Sequence, residues 1–508
     1  MIMKFLAAKL KFTLLTILSV FFLTGQIYAQ EEGESSEAKK TLSFDERVDK
    51  FFKPIGDKSD EIVFFQVPIP GATDKEGNPV KIPFVLALLG ISAVILTVVF
   101  GFVNLRGLGK SFRTIKGKYS SPDDPGEITH FQALSAALSA TVGLGNIAGV
   151  AIAITIGGPG ATFWMVVCGL LGMTTKFCEC TLGTRYRDID ENGKVHGGGM
   201  YYLSKGFAEL GAAGLGKFLA VFFAIACIFG SFGAGNMFQG NQAFAVMSST
   251  FSIPTDYSVF FGIGLAFLVG MVIIGGMPRI ATVTEKVVPF MALLYITMAV
   301  IVLIANFNHI GTAFGEIFSG AFTGAGVAGG FIGALIQGLK RATFSNEAGV
   351  GSAAIAHSAV KTKEPVTEGL VSLLEPFIDT VVICTMTALV IIISGQLVTD
   401  PETGLYILDG GHIATVDGNT GVALTSAAFA SGISWFPYVL ALAVILFAFS
   451  TMISWSYYGL KAWTYLFGEG KTKEIVFKVI FCLFIIVGAA ANLGAVIDFS
   501  DAMIFAMA

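Results

Sequence analysis

Charge is scarce in this 508-residue sequence: Asp, Glu, Lys and Arg make up 13% of it, about half their share in an ordinary soluble domain. A soluble globular protein is thereby excluded. A basic surplus is missing too, since 32 Lys plus Arg stand against 36 Asp plus Glu, which argues against a nucleic-acid partner. The cysteines Cys168, Cys178, Cys180, Cys227, Cys384 and Cys482 all lie in or beside apolar stretches, so no disulfide framework is expected. Cys178 and Cys180 have no histidine near them in the chain, and small apolar packing suits them better than a transition-metal site. The sequence also lacks H-E-x-x-H, G-x-S-x-G and the G-x-x-x-x-G-K-[ST] phosphate loop, and its five histidines (His130, His196, His309, His357, His412) fall mainly at segment ends or in loops. An enzyme, an organic cofactor and a P-loop ATP-driven pump are not indicated. An ion gradient is the natural energy source.

What is present is apolar length. Hydrophobic residues make up 54% of the chain, and runs of about 20 residues, enough to cross a hydrocarbon core, recur from Pro83 onward. The sequence predicts an all-α polytopic membrane protein with segments near 83–105, 130–156, 160–182, 216–249, 258–276, 286–306, 322–358, 366–395, 420–460 and 474–491. An eleventh begins near Ser500 and stops at Ala508, as a span cut short. Residues 1–29, with Lys4, Lys9 and Lys11 before an apolar stretch and Ile27-Tyr28-Ala29 before Gln30, read as a signal peptide. Residues 30–82 read as a loosely ordered polar tail without a strong amphipathic period, and 83–508 as the transmembrane domain.

Orientation follows from charge. Arg106, Lys110, Arg113, Lys116 and Lys118 follow the first segment, whereas the loop from Gln396 to Asn419 carries Asp400, Glu402, Asp409 and Asp417 and no Lys or Arg. The positive-inside rule puts the first loop in the cytoplasm and the second outside. The N-terminus is then outside, the C-terminus of a full-length chain inside, and the protein multi-pass in the plasma (inner) membrane.

Two segments break the rules of a spanning helix together. Residues 139–149 contain Gly143, Gly145, Asn146 and Gly149, and residues 341–351 contain Ser345, Asn346, Glu347, Gly349 and Gly351. Each would open a half of five spans (130–306 and 322–508), and the halves would enter the membrane from opposite sides. Paired Gly-interrupted segments in such an inverted repeat point to a transporter site built from half-helix ends and bared carbonyls. Glycine spacing alone indicates close packing, but packing does not require Asn146, Ser345, Asn346 and Glu347. Asn236, Gln239 and Asn241 in the fourth segment suit a zwitterion or interhelical bonding equally. Asp379 is a lone carboxylate that could couple to a cation or pair with a basic residue. Ser450 and Thr451 offer adjacent hydroxyls for a sodium shell, against bonding to their own helix.

The runs Gly157–Met165 and Gly172–Glu179, with Thr141–Ala151, Phe344–His357, Glu375–Thr385 and Phe447–Gly459, resemble the alanine or glycine:cation symporters of the sodium:alanine symporter family. Val166 stands where that signature has Trp, and the signal-like start and tail are additions to it. The resemblance implies a LeuT-like 5+5 inverted-repeat core preceded by one extra helix, about 11 spans in all. It implies sodium-coupled uptake of a small neutral amino acid, with Na+ as the coupling ion. The substrate carboxylate would meet amides at Gly143 to Gly145, beside Thr141 and Ser345, with Gln239 in contact and Phe344 as cover. One sodium would use Thr141, Asn146 and Ser345, and a second Ser139 and Val142 with Ser450 and Thr451. Asn346, Glu347 and Asp379 are candidate coupling groups. A symporter of another solute, and then a channel, are the alternatives.

Overall fold

Apolar runs without water must bond every backbone N–H and C=O within the chain, which makes them helices. The computed structural model describes residues 44–73, 79–323, 330–403, 405–409 and 411–508. The expected signal peptide and the start of the tail lie outside these. In chain order the principal helices begin with α1 (Phe44–Val63), α2 (Phe84–Val99), α3 (His130–Thr141), α4 (Val150–Gly157) and α5 (Gly160–Arg185). There follow α6 (Ala213–Phe251), α7 (Ser258–Ile273), α8 (Gly276–Ala305), α9 (Phe307–Thr323), α10 (Gly330–Asn346) and α11 (Ala353–His357). The last are α12 (Pro365–Ile393), α13 (Gly421–Gly432), α14 (Phe436–Phe467), α15 (Lys471–Ala490) and α16 (Leu493–Phe505). Among the described residues six are long and apolar enough to cross a membrane, and α3 with the turn leading into α4 forms a seventh candidate bent by 50°.

The broken pairs α3/α4 and α10/α11 pack with α5 and α12 into one group, and α3 presents its other face to α8 and α14. Helix α3 starts where the pattern directs: Thr129 and Gln132 form a reciprocal capping box that bonds two otherwise orphaned amides. The site lies where the breaks of the two pairs face each other, α6 and α14.

Three expectations change in detail. The 420–460 segment is two helices, because α14 restarts with Pro437 in its first turn, where a missing N–H costs nothing. The separate α13 lies against the first break, Thr425 Oγ1 donating to Ile147 O at 3.0 Å. Phe322 and Thr323 of the 322–358 segment end α9, and the helix after it stops at Asn346. The last helix begins at Leu493, not near Ser500, since Asn492 caps it by accepting from Gly494 N at 3.0 Å; Asp498 and Asp501 had disguised the apolar run.

The tail departs most. Its described part is helix α1 followed by an antiparallel hairpin of β1 (Gln66–Thr73) and β2 (Pro79–Pro83). Phe44, Val48, Phe51 and Ile55 recur at helical spacing, a period hidden by the charges between them and by Pro54 inside the helix.

Candidate functional site

The first break starts at Val142, whose φ of −73° and ψ of 90° turn its carbonyl off the helical ladder. Gly143 permits a close approach, because a Cβ there would come within 2.5 Å of Thr451 Oγ1. Residues Gly145–Gly149 then form a π-helical turn, a wider winding that frees backbone groups and often marks function. Asn146 stitches this turn together: Oδ1 accepts from Gly143 N at 2.8 Å, while Nδ2 donates to the Asp379 carboxylate at 2.6 Å and to Asp379 O at 3.0 Å.

The second break runs from Glu347 to Gly351. Glu347, Gly349 and Gly351 all have positive φ, at 56°, 91° and 80°; for Glu347 this is a strained conformation. Two bonds hold it there, with Ser352 Oγ donating to Oε2 and Trp455 Nε1 donating to Oε1 at 2.9 Å. Asn346 closes the preceding turn, accepting from Ala348 N at 2.9 Å and donating to Thr380 Oγ1 at 2.8 Å.

Asp379 joins the two breaks. It is fully buried on a second π-helical stretch, Phe377–Cys384, and besides Asn146 its carboxylate accepts from Ser345 Oγ at 2.9 Å and Thr380 Oγ1 at 2.7 Å. A buried carboxylate needs such donors or a cation. Among the described residues the donors that reach it are neutral, and no Lys, Arg or His forms an ion pair with it, so the pairing with a basic residue that the sequence left open is not made.

On the other side, Ser139 Oγ donates to Ser450 O at 2.6 Å and Thr451 Oγ1 donates to Ser139 O at 3.0 Å, clasping α3 to α14. Ser450 Oγ is turned back to Phe447 O at 2.9 Å, and Thr141 Oγ1 to Ala137 O at 3.2 Å, both on their own helices. Gln239 Oε1 accepts from Leu144 N at 3.3 Å while its Nε2 caps Ala234 O at 2.9 Å, a carbonyl of the π turn Gly233–Met237. Phe344 stands edge-on to Phe238 with ring centres 5.3 Å apart. Gly145 faces Ser345, where a Cβ would lie 3.2 Å from Ser345 Cα. The candidate residues of the two breaks, with Gln239, Phe344, Asp379, Ser450 and Thr451, are thus all buried. Asn236 and Asn241 instead bond carbonyls of Phe481 (2.7 Å) and Ala491 (2.6 Å) across to α15 and its end, which is interhelical bonding.

Several groups escaped the sequence reading. Cys384 Sγ accepts from Asn146 Nδ2 at 3.3 Å. Arg341, one turn before Phe344, lies over its ring at 5.3 Å and pairs with Asp501 of α16, which Lys340 also reaches at 3.0 Å. Behind the second break a buried ionic chain runs from Lys176 to Glu375 (3.5 Å), from Glu375 to His357 (3.6 Å), and from His357 through Glu368 to His130. Cys180 lies beside it, so the Cys180, His357 and Glu375 ligand atoms fall within 4.8 Å of one another. The Lys176 ammonium already balances Glu375, and the set reads as an ion-pair network.

With that geometry in view, residues 72–508 match the family model described as the sodium:alanine symporter family. The chain belongs to this family. It is 40% identical over 428 residues to the sodium/alanine symporter AgcS of Methanococcus maripaludis, spanning 84% of this chain and 89% of that one. It is 32% identical over 424 residues to the amino-acid carrier protein AlsT of Bacillus subtilis, spanning 83% of each. Its fold resembles the crystal structure of MhsT in complex with L-phenylalanine, with a TM-score of 0.54 at 15% identity over 75% of this chain and 87% of that one. The protein is therefore an integral, multi-pass membrane transporter of LeuT-like fold, a secondary transporter and not an enzyme.

Proposed function

We propose that this transporter carries a small neutral amino acid, alanine or glycine, into the cell together with Na+. The observation that carries the reading is the Asp379 carboxylate shared by both helix breaks through Asn146 and Ser345. A cation entering among Asp379, Asn146, Ser345 and the Thr141 carbonyl would neutralise that buried charge and fix both breaks in one arrangement. A second sodium would draw on the Ser139 and Val142 carbonyls and the Ser450 and Thr451 hydroxyls; of these, the Thr451 hydroxyl now bonds the Ser139 carbonyl and the Ser450 hydroxyl its own helix. The substrate carboxylate would meet backbone amides from Gly143 to Gly145, next to Gln239, and Phe344 would cover it. Thr451 and Ser345 close tightly on Gly143 and Gly145, which suits a small substrate.

Coupling then follows from differential affinity, since a ligand shifts a conformational equilibrium only by binding one state better. Sodium and amino acid together favour the occluded arrangement, from which α3/α4, α5, α10/α11 and α12 rock against the remaining helices. The Lys/Arg-rich loops face the cytoplasm of a cell whose plasma (inner) membrane holds the protein, with the N-terminus outside.

The test is uptake of labelled alanine by proteoliposomes under an inward sodium gradient, with a choline control. Accumulation above equilibrium only with sodium is expected. Equal uptake in choline would refute sodium coupling, and competition by glycine but not by larger amino acids checks the size limit.

A further inference from the structure

Residues 44–71 precede the part of the chain that matches the family, yet they are folded onto the transporter. Helix α1 packs along α16, closely enough that a Cβ on Gly56 would lie 3.3 Å from Asp498 Cβ. Just past its end, the half-buried Phe64 ring sits 5.0 Å from the Phe505 ring and 4.2 Å below Lys340 Nζ. The next residue ties the segment to a second helix. Phe65 stacks on Phe84 at 5.1 Å and its carbonyl accepts from Phe84 N at 2.9 Å, at the start of α2. The segment is therefore held at α16 and at α2, with Lys340 of the broken-helix group between.

Lys340 leads to the cover over the site. Its ammonium is 3.0 Å from Asp501 Oδ2, the same oxygen that takes Arg341, and Arg341 lies over Phe344. Asp501 Oδ1 and Arg341 Nη1 have no hydrogen-bond partner among the described residues. One oxygen thus carries both cations, and the link between α10 and α16 is a single-point contact whose strength depends on how its cations are held. A cation over an aromatic face gains about 1 kcal/mol, and Phe64 supplies that face.

We propose that residues 44–65 clamp the outer gate of the transporter, with Phe64 as a positioning residue that holds Lys340 on Asp501. By steadying the Arg341–Asp501 pair above Phe344, the clamp favours the state closed to the outside. It rests on the proposed outer location of the N-terminus and on alternating access, and it needs neither alanine nor sodium as the true cargo.

The test uses the buried Cys384 thiol, 3.3 Å from Asn146 Nδ2, as a native reporter of opening. A small membrane-impermeant methanethiosulfonate is applied to the outer face of intact cells without added sodium or amino acid, and modification is read by mass spectrometry of the peptide bearing Cys384. Phe64→Ala is expected to react about fivefold faster than the parent, the fold-change equivalent to about 1 kcal/mol. Phe64→Tyr, which keeps the ring face, is expected to match the parent. Phe64→Leu keeps apolar contact with Phe505 but removes the face beneath Lys340, and it should also accelerate the reaction should the alanine variant not fold. In an Asp501→Asn background the Phe64→Leu change should add nothing, because positioning acts through Asp501. An unchanged rate in Phe64→Leu, or the same increment in both backgrounds, would overturn the clamp. Labelling runs without transport, so failure of the alanine reading would show in the uptake assay alone.

Discussion

The two helix breaks look alike in sequence and differ in how they are held. The first, from Val142 to Gly149, has no ionisable side chain of its own: its partners are Thr451, Gln239 and Asn146, and only Asn146 reaches a carboxylate, that of Asp379 on α12. The second carries a carboxyl group at its own strained residue, Glu347, pinned by Ser352 and by Trp455 of α14, with Glu179 Oε1 accepting from Gly351 N at 3.1 Å. Neutral hydrogen bonds contribute about 1 kcal/mol each and exchange readily for ion ligands. A buried carboxyl that is part of the break itself and is bonded at both oxygens resists exchange, because losing either bond leaves a buried polar atom without a partner. The difference teaches that the first break is suited to changing partners as ligands come and go, while the second is suited to staying fixed.

Removing the group both breaks share should have the largest effect. Asp379→Ala strips a charged acceptor from Asn146, Ser345 and Thr380, each such bond contributing about 1.5–3 kcal/mol. Sodium-driven uptake should fall at least about 100-fold in proteoliposomes matched for protein content. Glu347→Gln tests the fixed break: the maximal rate should drop about tenfold, equivalent to about 1.4 kcal/mol, with the sodium concentration for half-maximal uptake little changed. A large sodium shift there at constant rate would erase the contrast between the breaks.

The exchangeable break is sharpened by Thr451→Ala, which should raise the sodium needed for half-maximal uptake about fivefold for the loss of roughly 1 kcal/mol. The alanine KM at saturating sodium should hold, and Phe344→Ala should give the reverse pattern, weakening alanine more than sodium. The smallest effect is expected from Asn236→Ala, since its amide bonds Phe481 O across helices. A loss of about 1 kcal/mol of stability would lower the thermal midpoint in detergent, with sodium dependence unchanged.

The breaks were legible because glycine and asparagine inside apolar runs have few other uses there. Asn146 and Ser345 announced themselves in this way, and Asp379 stood out as a carboxylate among aliphatics. What could not be read was who meets whom. Arg341 gave no sign of Asp501, 160 residues away, and Cys180 gave none of His357, because ion pairs across helices leave no spacing in one sequence. The helical period of residues 44–63 was present but buried among charges. Asn236 and Gln239, three residues apart on one helix, took opposite roles only because the neighbours of α6 differ from face to face.

That face-to-face difference has a source in the π turn Gly233–Met237. A π turn holds one residue more than the α-helical turn it replaces, so it offsets the rotational phase of everything after it by about 100°, one residue's share of an α-helical turn. Excising a single residue there would let α6 run on as a regular helix, and the chain would lose no hydrogen-bonded turn. Gln239 would nonetheless swing off Leu144 and point a different side chain at the first break. The helix carries its contribution to the site as a phase, and a deletion too small to unfold anything would be enough to detune it.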